Sequence, residues 1–363
     1  MKNKVLFFLG YDQLLDKDGV GQYAFKLYNY LKEIDDIIEL KIMRSTKLLD
    51  WLKSMNIAFK SNNIIHIQYP LEAWQHSIYP GIVPVFFKLF YRKKLIVTMH
   101  EWSSYHPLRK LSILPLCYFC DGLIFVSPKV KSDFLKSFIY KTRFFKPKLN
   151  LIRLSSSIEP PILKNEEILK KRNKLINKND ILLGYFGFIY DWKMPYKMLD
   201  IIKESKNENK KNIKLLICGD FQEDRKKEKF SFLEYVKNND LQDSVIFKGY
   251  IDDEKELAIH LSACNAMLLL FKDGLTSRRT TFWYSYVLGL KIFTSQIKDD
   301  NEFHGIPNFD NKNIFYLDIN SDENNILEHI YKNIDNYSIP MTKKNIMSWD
   351  TISEKHLVFY RSI

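Results

Sequence analysis

The chain has 363 residues and contains little cysteine, glycine or proline. Four cysteines are too few and too scattered for a disulfide scaffold, so they indicate a protein of a reducing compartment. Twelve glycines and twelve prolines exclude collagen-like and linker-dominated architectures. Hydrophobic residues make up 46% of the chain and charged residues 27%, which excludes general disorder. The length predicts two domains of similar size.

The sequence also lacks a long uninterrupted apolar run. Its most apolar stretches, 78–91 and 111–126, are each broken by proline and by a charged residue, whereas a membrane-spanning helix needs about 18 apolar residues in succession. The first ten residues lack the small-residue cleavage pattern of a signal peptide. We therefore expect no membrane span and a cytoplasmic location.

Acidic residues are scarce relative to basic ones in the first half of the chain. The formal net charge is +12, and residues 1–160 hold 24 Lys and Arg against 13 Asp and Glu, a net of +11. This asymmetry predicts an anionic partner for the first half, either a membrane surface or a nucleic acid. A genome that favours lysine codons would explain the number of lysines, but it explains the asymmetry less well.

Two basic segments of the first half also carry aromatic residues. Residues 136–148 mix lysine and arginine with four aromatic side chains, and the cations at 92–94 follow a run that contains Phe86, Phe87 and Phe90. This composition suits the headgroup region of an anionic membrane, and a solvated face with some core aromatics is the alternative. Neither segment matches a nucleic-acid module, so we predict a peripheral position on the inner face of the cell membrane and no nucleic acid partner.

Short apolar runs alternate with amphipathic segments along the whole chain. Such runs are typical of buried parallel strands, and their alternation with helices indicates βαβ units. The predicted strands cover residues 5–9, 64–68, 95–99, 123–126 and 151–154, then 181–186, 213–218, 245–247, 266–270 and 292–294. The predicted fold class is α/β, with two Rossmann-like doubly wound domains that face each other across a cleft.

The predicted domain boundary falls near residues 159–161, where both series of strands are interrupted by Glu-Pro-Pro. The first domain covers residues 1–160 and the second 161–345. Residues 346–363 carry apolar side chains at helical spacing and predict a final amphipathic helix that docks on another part of the chain.

Ligands of parallel sheets bind beyond the carboxyl ends of the strands, so the loops that follow the strands are the candidate sites. In the first such loop, Gly19 and Gly21 either permit close approach to a ligand at a helix N-terminus or only form a tight turn. Asp16 and Asp18 match a metal-binding Asp-x-Asp by letters alone, and no metal site is predicted.

A histidine follows the third predicted strand. His100 and Glu101 come directly after residues 95–99, and Gln68 ends the preceding strand. An imidazole at the carboxyl end of a core strand can donate or accept a hydrogen bond in the cleft near neutral pH. The alternative is a structural histidine whose hydrogen bonds are satisfied within the core.

The second half carries a lysine and two arginines after its strands. Gly187 ends a strand and Lys193 opens the next helical pattern, where a cation can neutralise phosphate, although an ordinary surface lysine is the alternative. A helix N-terminus with hydroxyls and arginines is typical of a diphosphate cradle, and a capped helix with solvated arginines is the alternative. The loop in question contains Asp273, Gly274, Thr276, Ser277, Arg278, Arg279 and Thr280.

The Cys117-x-x-Cys120 pair lies among apolar residues and has no second ligand pair. A packed helix is therefore favoured over a metal or redox site.

Taken in order, these motifs resemble those of GT-B glycosyltransferases, and specifically the large retaining family 4 group. The resemblance rests on Gly19-Val20-Gly21, on the Ile-His-Ile-Gln and Val-Thr-Met-His-Glu strands at 65–68 and 97–101, on Gly-Tyr-Phe-Gly at 184–187, and on Val-Ile-Phe-Lys-Gly-Tyr at 245–250. The final helix at Trp349 resembles the family's segment that crosses back onto the first domain.

The resemblance implies a nucleotide diphosphate-sugar donor on the second domain and an acceptor on the first. By this match Lys193 meets the donor phosphates, and His100 lies near the transferred sugar with Gln68 and Glu101 on the acceptor side. Gly21 falls beneath the phosphates, and Tyr250 falls where the backbone contacts the base. The candidate catalytic residues are then His100, Lys193 and Arg279.

The donor loop departs from the family pattern of two glutamates separated by seven residues. It resembles a branch with Asp-Gly-x-Ser/Thr-x-Arg-Arg, and either Asp273 or Thr276 stands at the first glutamate position. The second glutamate is replaced by Tyr284 or Thr281. Because Phe188 stands where the family often has arginine, we expect one arginine of the 278–279 pair to supply that charge.

The expected activity is a retaining, metal-independent transfer of a sugar, of the hexosyltransferase type, with no cofactor. The expected acceptor is a saccharide or lipid-linked saccharide in bacterial surface polysaccharide or lipooligosaccharide biosynthesis. A GT-B sugar-nucleotide epimerase and a non-catalytic sugar- or nucleotide-binding protein are the alternatives.

Overall fold

The computed structural model describes residues 4–9, 19–35, 38–43, 45–69, 74, 77–102, 107–156, 158–206, 212–334, 336–343 and 347–363. The chain divides into two compact units, Met1–Ser157 with Met347–Ile363, and Ile158–Ile346. Each unit contains a six-stranded sheet whose neighbouring strands are all parallel, with helices packed around it. The predicted α/β class with two doubly wound sheets is confirmed.

The sheet of the first unit has the strand order β2-β1-β3-β4-β5-β6. Its strands are β1 (Val5–Leu9), β2 (Ile38–Ile42), β3 (Ile64–Tyr69), β4 (Lys94–Met99), β5 (Gly122–Phe125) and β6 (Lys148–Leu151). Its helices are α1 (Gly19–Ile34), α2 (Leu48–Ser61), α3 (Tyr79–Tyr91), α4 (Pro107–Phe119), α5 (Pro128–Lys136), α6 (Phe138–Lys141) and the C-terminal α13 (Trp349–Arg361).

The sheet of the second unit has the strand order β12-β11-β10-β7-β8-β9. Its strands are β7 (Ile181–Phe186), β8 (Ile213–Cys218), β9 (Val245–Phe247), β10 (Ala266–Leu269), β11 (Lys291–Ser295) and β12 (Ile314–Leu317). Its helices are α7 (Asn165–Leu175), α8 (Pro195–Ser205), α9 (Lys226–Asn238), α10 (Glu254–Ser262), α11 (Thr280–Val287) and α12 (Glu323–Asn333), and Asp191–Lys193 form a 3₁₀ turn.

The first sheet is buried on both faces because its strands carry apolar residues without interruption. Alternate side chains point to opposite faces of a strand. Ile64 and Ile96 therefore pack with the layer of α1 and α13, while Ile65 and Val97 pack in the cluster on the other face. This two-sided burial is what made the central strands recognisable as continuous apolar runs.

The C-terminal helix α13 completes the core of the first unit. Ser348 caps the helix by accepting a hydrogen bond from the Thr351 amide, and the Trp349 indole donates to the Ser156 carbonyl at 3.0 Å. The ring of Trp349 lies 5.2 Å from that of Tyr23 on α1. The end of the chain is thus integral to the first unit.

Three strands differ from the sequence-based expectation. The strand expected at 151–154 lies instead at Lys148–Leu151, and Ile38–Ile42 and Ile314–Leu317 were not predicted. All three are edge strands: β2 and β6 are the two edges of the first sheet, and β12 is one edge of the second. An outer strand is only partly buried, and β2 and β6 accordingly interrupt their apolar residues with polar ones. Strand β12 is the short apolar run Ile-Phe-Tyr-Leu, a signal that the sequence offered and the prediction missed.

Two helix boundaries also differ. Helix α1 begins at Gly19, so Gly21 lies in its first turn and not in the preceding loop. Lys193 ends the 3₁₀ turn instead of opening a helix, because Met194 adopts a left-handed conformation (φ 53°) and Pro195 starts α8. Asp16 and Asp18 lie outside the described residues.

In the described part of the chain, no helix combines the length and the apolar character needed to cross a membrane.

Candidate functional site

The candidate site of the second unit lies where the order of its sheet reverses. Strand β7 pairs with β8 on one side and with β10 on the other. At such a point the loops after the two strands lead away in opposite directions and leave room for a ligand between them. The loop after β7 carries Lys193, and the loop after β10 carries Arg279.

Lys193 is a buried lysine in an aromatic environment. Its side chain ends 5.3 Å from the ring centroid of Trp192 and 5.5 Å from that of Tyr185, and the residue is 6% exposed. Burial, with a smaller effect of the Arg279 charge, lowers the pKa of the Lys193 ammonium to about 7. Within the described residues it has no carboxylate partner, so an anionic ligand would stabilise its charged form.

Arg279 is the second cation of the site. Its guanidinium lies 4.3 Å from the centroid of the Trp192 ring and 4.7 Å from that of Phe271, and its Nη2 pairs with the carboxylate of Asp273. The amide of Lys272 also donates to the Trp192 carbonyl at 2.9 Å. The indole of Trp192 therefore adjoins both cations, and the two loops are joined at this residue.

Gly187 brings the first turn of α11 close to the lysine. The glycine has φ of +93°, and a Cβ built on it would lie 3.1 Å from Thr281 Cγ2 and 3.4 Å from Lys193 Nζ. A side chain would therefore be strained at this position and would occupy the space beside the ammonium. The N-terminal end of a helix favours negative charge, so α11 adds to the attraction for an anion here.

A row of aromatic rings extends from the two cations. Phe188, Tyr190 and Trp192 alternate along the loop, and the Tyr190 and Trp192 rings stack with centroids 5.6 Å apart. Phe188 stacks on Tyr250 at 5.7 Å, and Tyr250 is 45% exposed. Planar rings of this kind can stack with a planar ligand such as a nucleobase.

Glu302 fastens the loop that carries Arg279. Its Oε2 accepts hydrogen bonds from the Ser277 amide at 2.8 Å and from the Ser277 hydroxyl at 2.6 Å. Both residues are buried, and the Trp283 indole donates to the Ser277 carbonyl at 2.8 Å. Ser277 is thus directed to Glu302, while the buried hydroxyl of Thr276 and Glu302 Oε1 find no hydrogen-bond partner among the described residues.

We expect Glu302→Gln to raise the donor KM about fivefold while kcat changes little, because the charged acceptor that fixes the loop is replaced by a neutral one. Ser277→Ala should have a similar effect, and the double variant should be no worse than either single one since both remove the same interaction. Steady-state kinetics at varied donor concentration test this, with exposed Glu228→Gln as the control. An unchanged KM in both variants would rule out the positioning role.

The first unit holds its own polar group at the ends of β3 and β4. The Nε2–H of His100 donates to Gln68 Oε1 at 2.9 Å, and the Gln68 amide nitrogen donates to His66 Nε2 at 3.2 Å. His66 Nδ1–H in turn donates to the Tyr360 hydroxyl of α13 at 2.7 Å. The chain of hydrogen bonds fixes the His100 ring, with its Nδ1 edge directed away from Gln68.

Burial controls the protonation of this polar group. Removal from water, together with the nearby His356 and His100, lowers the pKa of His66 well below its ordinary value, and burial lowers that of His356 to about 4. Both rings are therefore neutral near pH 7 and serve as hydrogen-bonding groups of the core. Glu101, the next residue after His100, is partly exposed.

Part of the chain, which includes most of this site, is similar in sequence to a known protein family. Residues 166–273 match the family described as "Glycosyl transferases group 1". The match covers less than a third of the chain. The matched region includes Gly187, Lys193, Tyr250 and Asp273, whereas Arg279 lies just beyond it. A comparison with curated protein sequences gives no match.

Solved structures of sugar-handling proteins share the fold of the whole chain. HepE of Anabaena in complex with UDP and glucose is 14% identical, with a TM-score of 0.72 and coverage of 100% of both chains. Sucrose-phosphate synthase of Thermosynechococcus elongatus is also 14% identical, with a TM-score of 0.70 over 99% of this chain and 98% of that one. UDP-GlcNAc 2-epimerase of Methanocaldococcus jannaschii is 9% identical, with a TM-score of 0.57 over 99% of each. These likenesses show the GT-B fold.

The matched region and its immediate continuation bring together most residues of the predicted donor site. Gly187, Lys193 and Arg279 lie around Trp192, with Asp273 paired to the arginine, and Tyr250 is joined through the aromatic row. Arg278 and Thr280 flank Arg279 at the start of α11, and Gly274 turns the loop with φ of +84°. Gly21, Gln68, His100 and Glu101 belong to the other unit.

Several residues of the site were not predicted from the sequence. The alternation of Phe188, Tyr190 and Trp192 after a glycine is a signal that sequence analysis could have used. Glu302 lies in a polar stretch of Asp and Asn residues, and nothing in that stretch distinguishes it. Likewise His66 and Tyr360 are 294 positions apart, so only the fold pairs them.

The arrangement can bind and stabilise a diphosphate. Lys193 and the first turn of α11 adjoin Gly187, which leaves space for a ligand, and the permanent cation Arg279 lies against the neighbouring Trp192. Among the described residues, no group of three His, Cys, Asp or Glu side chains is arranged to hold a metal ion. Cys117 and Cys120 are buried free thiols on and just after α4, and burial raises the pKa of both.

Proposed function

We propose that this protein is a retaining, metal-independent glycosyltransferase that transfers a sugar from a nucleotide diphosphate-sugar to a saccharide or lipid-linked acceptor. The observation that carries the proposal is the convergence of Lys193 and Arg279 at the switch point of a group 1 domain. Because a crystal structure of HepE contains UDP-glucose, UDP-sugars are the first donors to test.

The proposed reaction separates charge at the anomeric carbon. The bond between the anomeric carbon and the diphosphate oxygen breaks, the sugar gains oxocarbenium character, and the nucleoside diphosphate leaves with added negative charge. Lys193 and Arg279 stabilise that charge, which is the largest contribution that a preorganised site can make. The acceptor hydroxyl attacks from the face that the diphosphate leaves, and a diphosphate oxygen takes its proton, so no protein nucleophile is assigned.

His100 has an orienting role in this proposal. Its Nε2 is held by Gln68, and the ring is therefore presented in one tautomer and one orientation. A fixed imidazole at the end of β4 can hydrogen-bond a sugar hydroxyl without acting as an obligate base. Glu101 and Gln68 would then contribute to the acceptor side.

The proposed setting is bacterial surface glycan biosynthesis at the inner face of the cell membrane. The positive charge of residues 1–160 and the exposed aromatic side chains of the first unit support a lipid-linked acceptor. Analysis of the reaction product would identify the acceptor sugar and the linkage formed.

We expect full transfer activity in excess EDTA, because the two cations and α11 replace the role that a divalent ion would have at the diphosphate. The test incubates the protein with UDP-sugars and a lipid-linked or free saccharide and identifies the products by mass spectrometry. Loss of activity that only a divalent ion restores would contradict metal independence.

The same assay separates the two alternatives. An epimerase would change the donor sugar without acceptor, and a binding protein would shift its melting temperature with the nucleotide yet form no product. An anomeric configuration inverted in the product would refute the retaining mechanism.

A further inference from the structure

One face of the first unit exposes apolar side chains of two packed helices. On α3, Ile82, Phe86, Leu89 and Phe90 recur at the spacing of one helical face, and they are between 45% and 68% exposed. The opposite side of α3 is buried in the core through Val83 and Phe87. Helix α3 is therefore apolar on both sides, which is unfavourable for a helix whose outer side faces water only.

Helix α4 continues this surface. The two helices pack with their backbones in close approach, since a Cβ built on Gly81 would lie only 1.7 Å from the Ser112 carbonyl oxygen. Leu111, the residue before this contact, is 62% exposed, and Phe119 at the end of α4 is 45% exposed. The exposed sides of α3 and α4 thus lie next to each other.

Helix α6 and the segment that follows it extend the surface with three more phenylalanines. Phe138, Phe144 and Phe145 are 76%, 95% and 82% exposed. The segment is tied to α4 because the Tyr118 hydroxyl and the Thr142 hydroxyl lie 2.7 Å apart and the Arg143 guanidinium donates to the Cys117 carbonyl. Its large side chains therefore project from an anchored segment.

A basic cavity joins these three parts. It has a volume of about 490 Å³, and Leu89 of α3, Phe119 of α4 and Phe145 all line it. Among the described residues, the charged side chains that line it are Lys88, Lys94, Arg143, Lys146, Lys148 and Asp121, and Ile363 lines it as well. Asp121 is paired with Lys88 at 3.1 Å and with Lys94 at 3.8 Å, so the cations remain in excess.

We propose that this face, composed of the exposed apolar residues of α3, α4 and 138–145 with the surrounding cations, rests on an anionic lipid bilayer. Apolar side chains would enter the boundary between headgroups and acyl chains, and the basic cavity would take a lipid phosphate. A second copy of the chain is a poor occupant, because two such faces would bring like charges together. No described helix is suited to cross the membrane, so the protein lies on its surface.

This inference builds on the proposed function, since a lipid-linked acceptor is reached from the membrane surface, but the binding is measured without any sugar transfer. The test is flotation of the purified full chain with vesicles of phosphatidylcholine alone and with vesicles that also contain phosphatidylglycerol. We expect association with the anionic vesicles at low salt and its loss at high salt. Absence of association with anionic vesicles would overturn the proposal.

Variants locate the binding face. Phe86→Ser with Phe90→Ser, and separately Phe144→Ser with Phe145→Ser, should each weaken vesicle binding about tenfold or more. Phe230→Ser with Leu233→Ser is the matched control, since these residues of α9 are 68% and 41% exposed in the other unit. Equal binding by the face variants and the control would refute this location.

Charge and self-association are tested separately. Lys141→Glu with Lys146→Glu should abolish binding at moderate salt, whereas Lys227→Glu with Lys237→Glu on α9 should retain most of it. Light scattering measures self-association. A dimer of the unaltered protein that dissociates when the phenylalanines are substituted would assign the face to a second copy and overturn the lipid proposal. A variant that fails to float with vesicles but still binds UDP would show that its donor site is intact. The membrane proposal and the proposed sugar transfer can therefore fail independently of each other.

Discussion

Lys193→Met should lower kcat for sugar transfer by about 100- to 1,000-fold. Methionine fills most of the buried space but brings no charge to the departing diphosphate, and loss of one preorganised group of this kind has effects of that size. Because Lys193 packs against Trp192 and Tyr185, a side chain of similar length also limits the structural disturbance. Product formation under saturating donor measures the loss directly.

The pH dependence distinguishes a charge effect from a packing effect. The pKa of Lys193 in the free protein is about 7, so the ammonium is lost as the pH rises through that value. The value of kcat/KM reports the free enzyme and should therefore decline above pH 7. A bound diphosphate favours the charged form and raises this pKa, so kcat should decline only at higher pH.

The decline of kcat/KM near pH 7 should disappear in Lys193→Met. Lys237→Met on the exposed side of α9 is the control and should leave both the rate and the pH profile as they are. If Lys193→Met keeps the rate of the unaltered protein, the phosphate-binding role of this lysine is wrong.

Arg279→Ala should lower kcat/KM for the donor by at least about tenfold. The guanidinium keeps its charge at all working pH values, and it lies over Trp192 and Phe271 and pairs with Asp273. Its removal takes away the permanent cation of the site and also relieves the repulsion that lowers the pKa of Lys193. The decline of kcat/KM should therefore move to higher pH in this variant.

Two further variants make the Arg279 test specific. Asp273→Asn leaves the arginine in place and removes its partner, so it should have a smaller effect than Arg279→Ala. Arg361→Ala, at a side chain 70% exposed on α13, is the control for loss of an arginine. Unchanged donor kinetics in Arg279→Ala would leave the diphosphate to other groups and would remove this residue from the mechanism.

The central strands of both sheets could be predicted because burial on both faces leaves a continuous apolar run within each strand's own sequence. Ile181–Phe186 and Ile213–Cys218 were placed with the observed boundaries, since a strand covered on both faces must be apolar throughout. The outer strand Ile38–Ile42 was missed because Glu39 and Lys41 interrupt its apolar residues, as is common where a strand is only partly buried. Ile314–Leu317 was missed although it is apolar throughout, because it is only four residues long. Position in the sheet, which decides this burial, is not encoded within the strand itself.

The candidate site was predicted in part for a similar reason. Glycine, lysine and arginine residues that follow strands can be recognised as candidate ligand-binding residues, because parallel topology brings the carboxyl ends of the strands together. The predicted loop position of Gly21 and the predicted helix start at Lys193 were wrong, since turn geometry depends on the conformation of single residues such as Met194. Whether the predicted residues bind donor and acceptor stays a prediction.

The amino-acid sequence by itself determined the α/β class, the central strands and the loops that carry Lys193 and Arg279, because apolar periodicity and strand order constrain them locally. Only the tertiary structure decided that Trp192 joins the two cations, that Glu302 holds Ser277, and that Leu89, Phe119 and Phe145 line one basic cavity. These contacts join residues far apart in the chain, and their distances and burial exist only once the sheets and helices have packed.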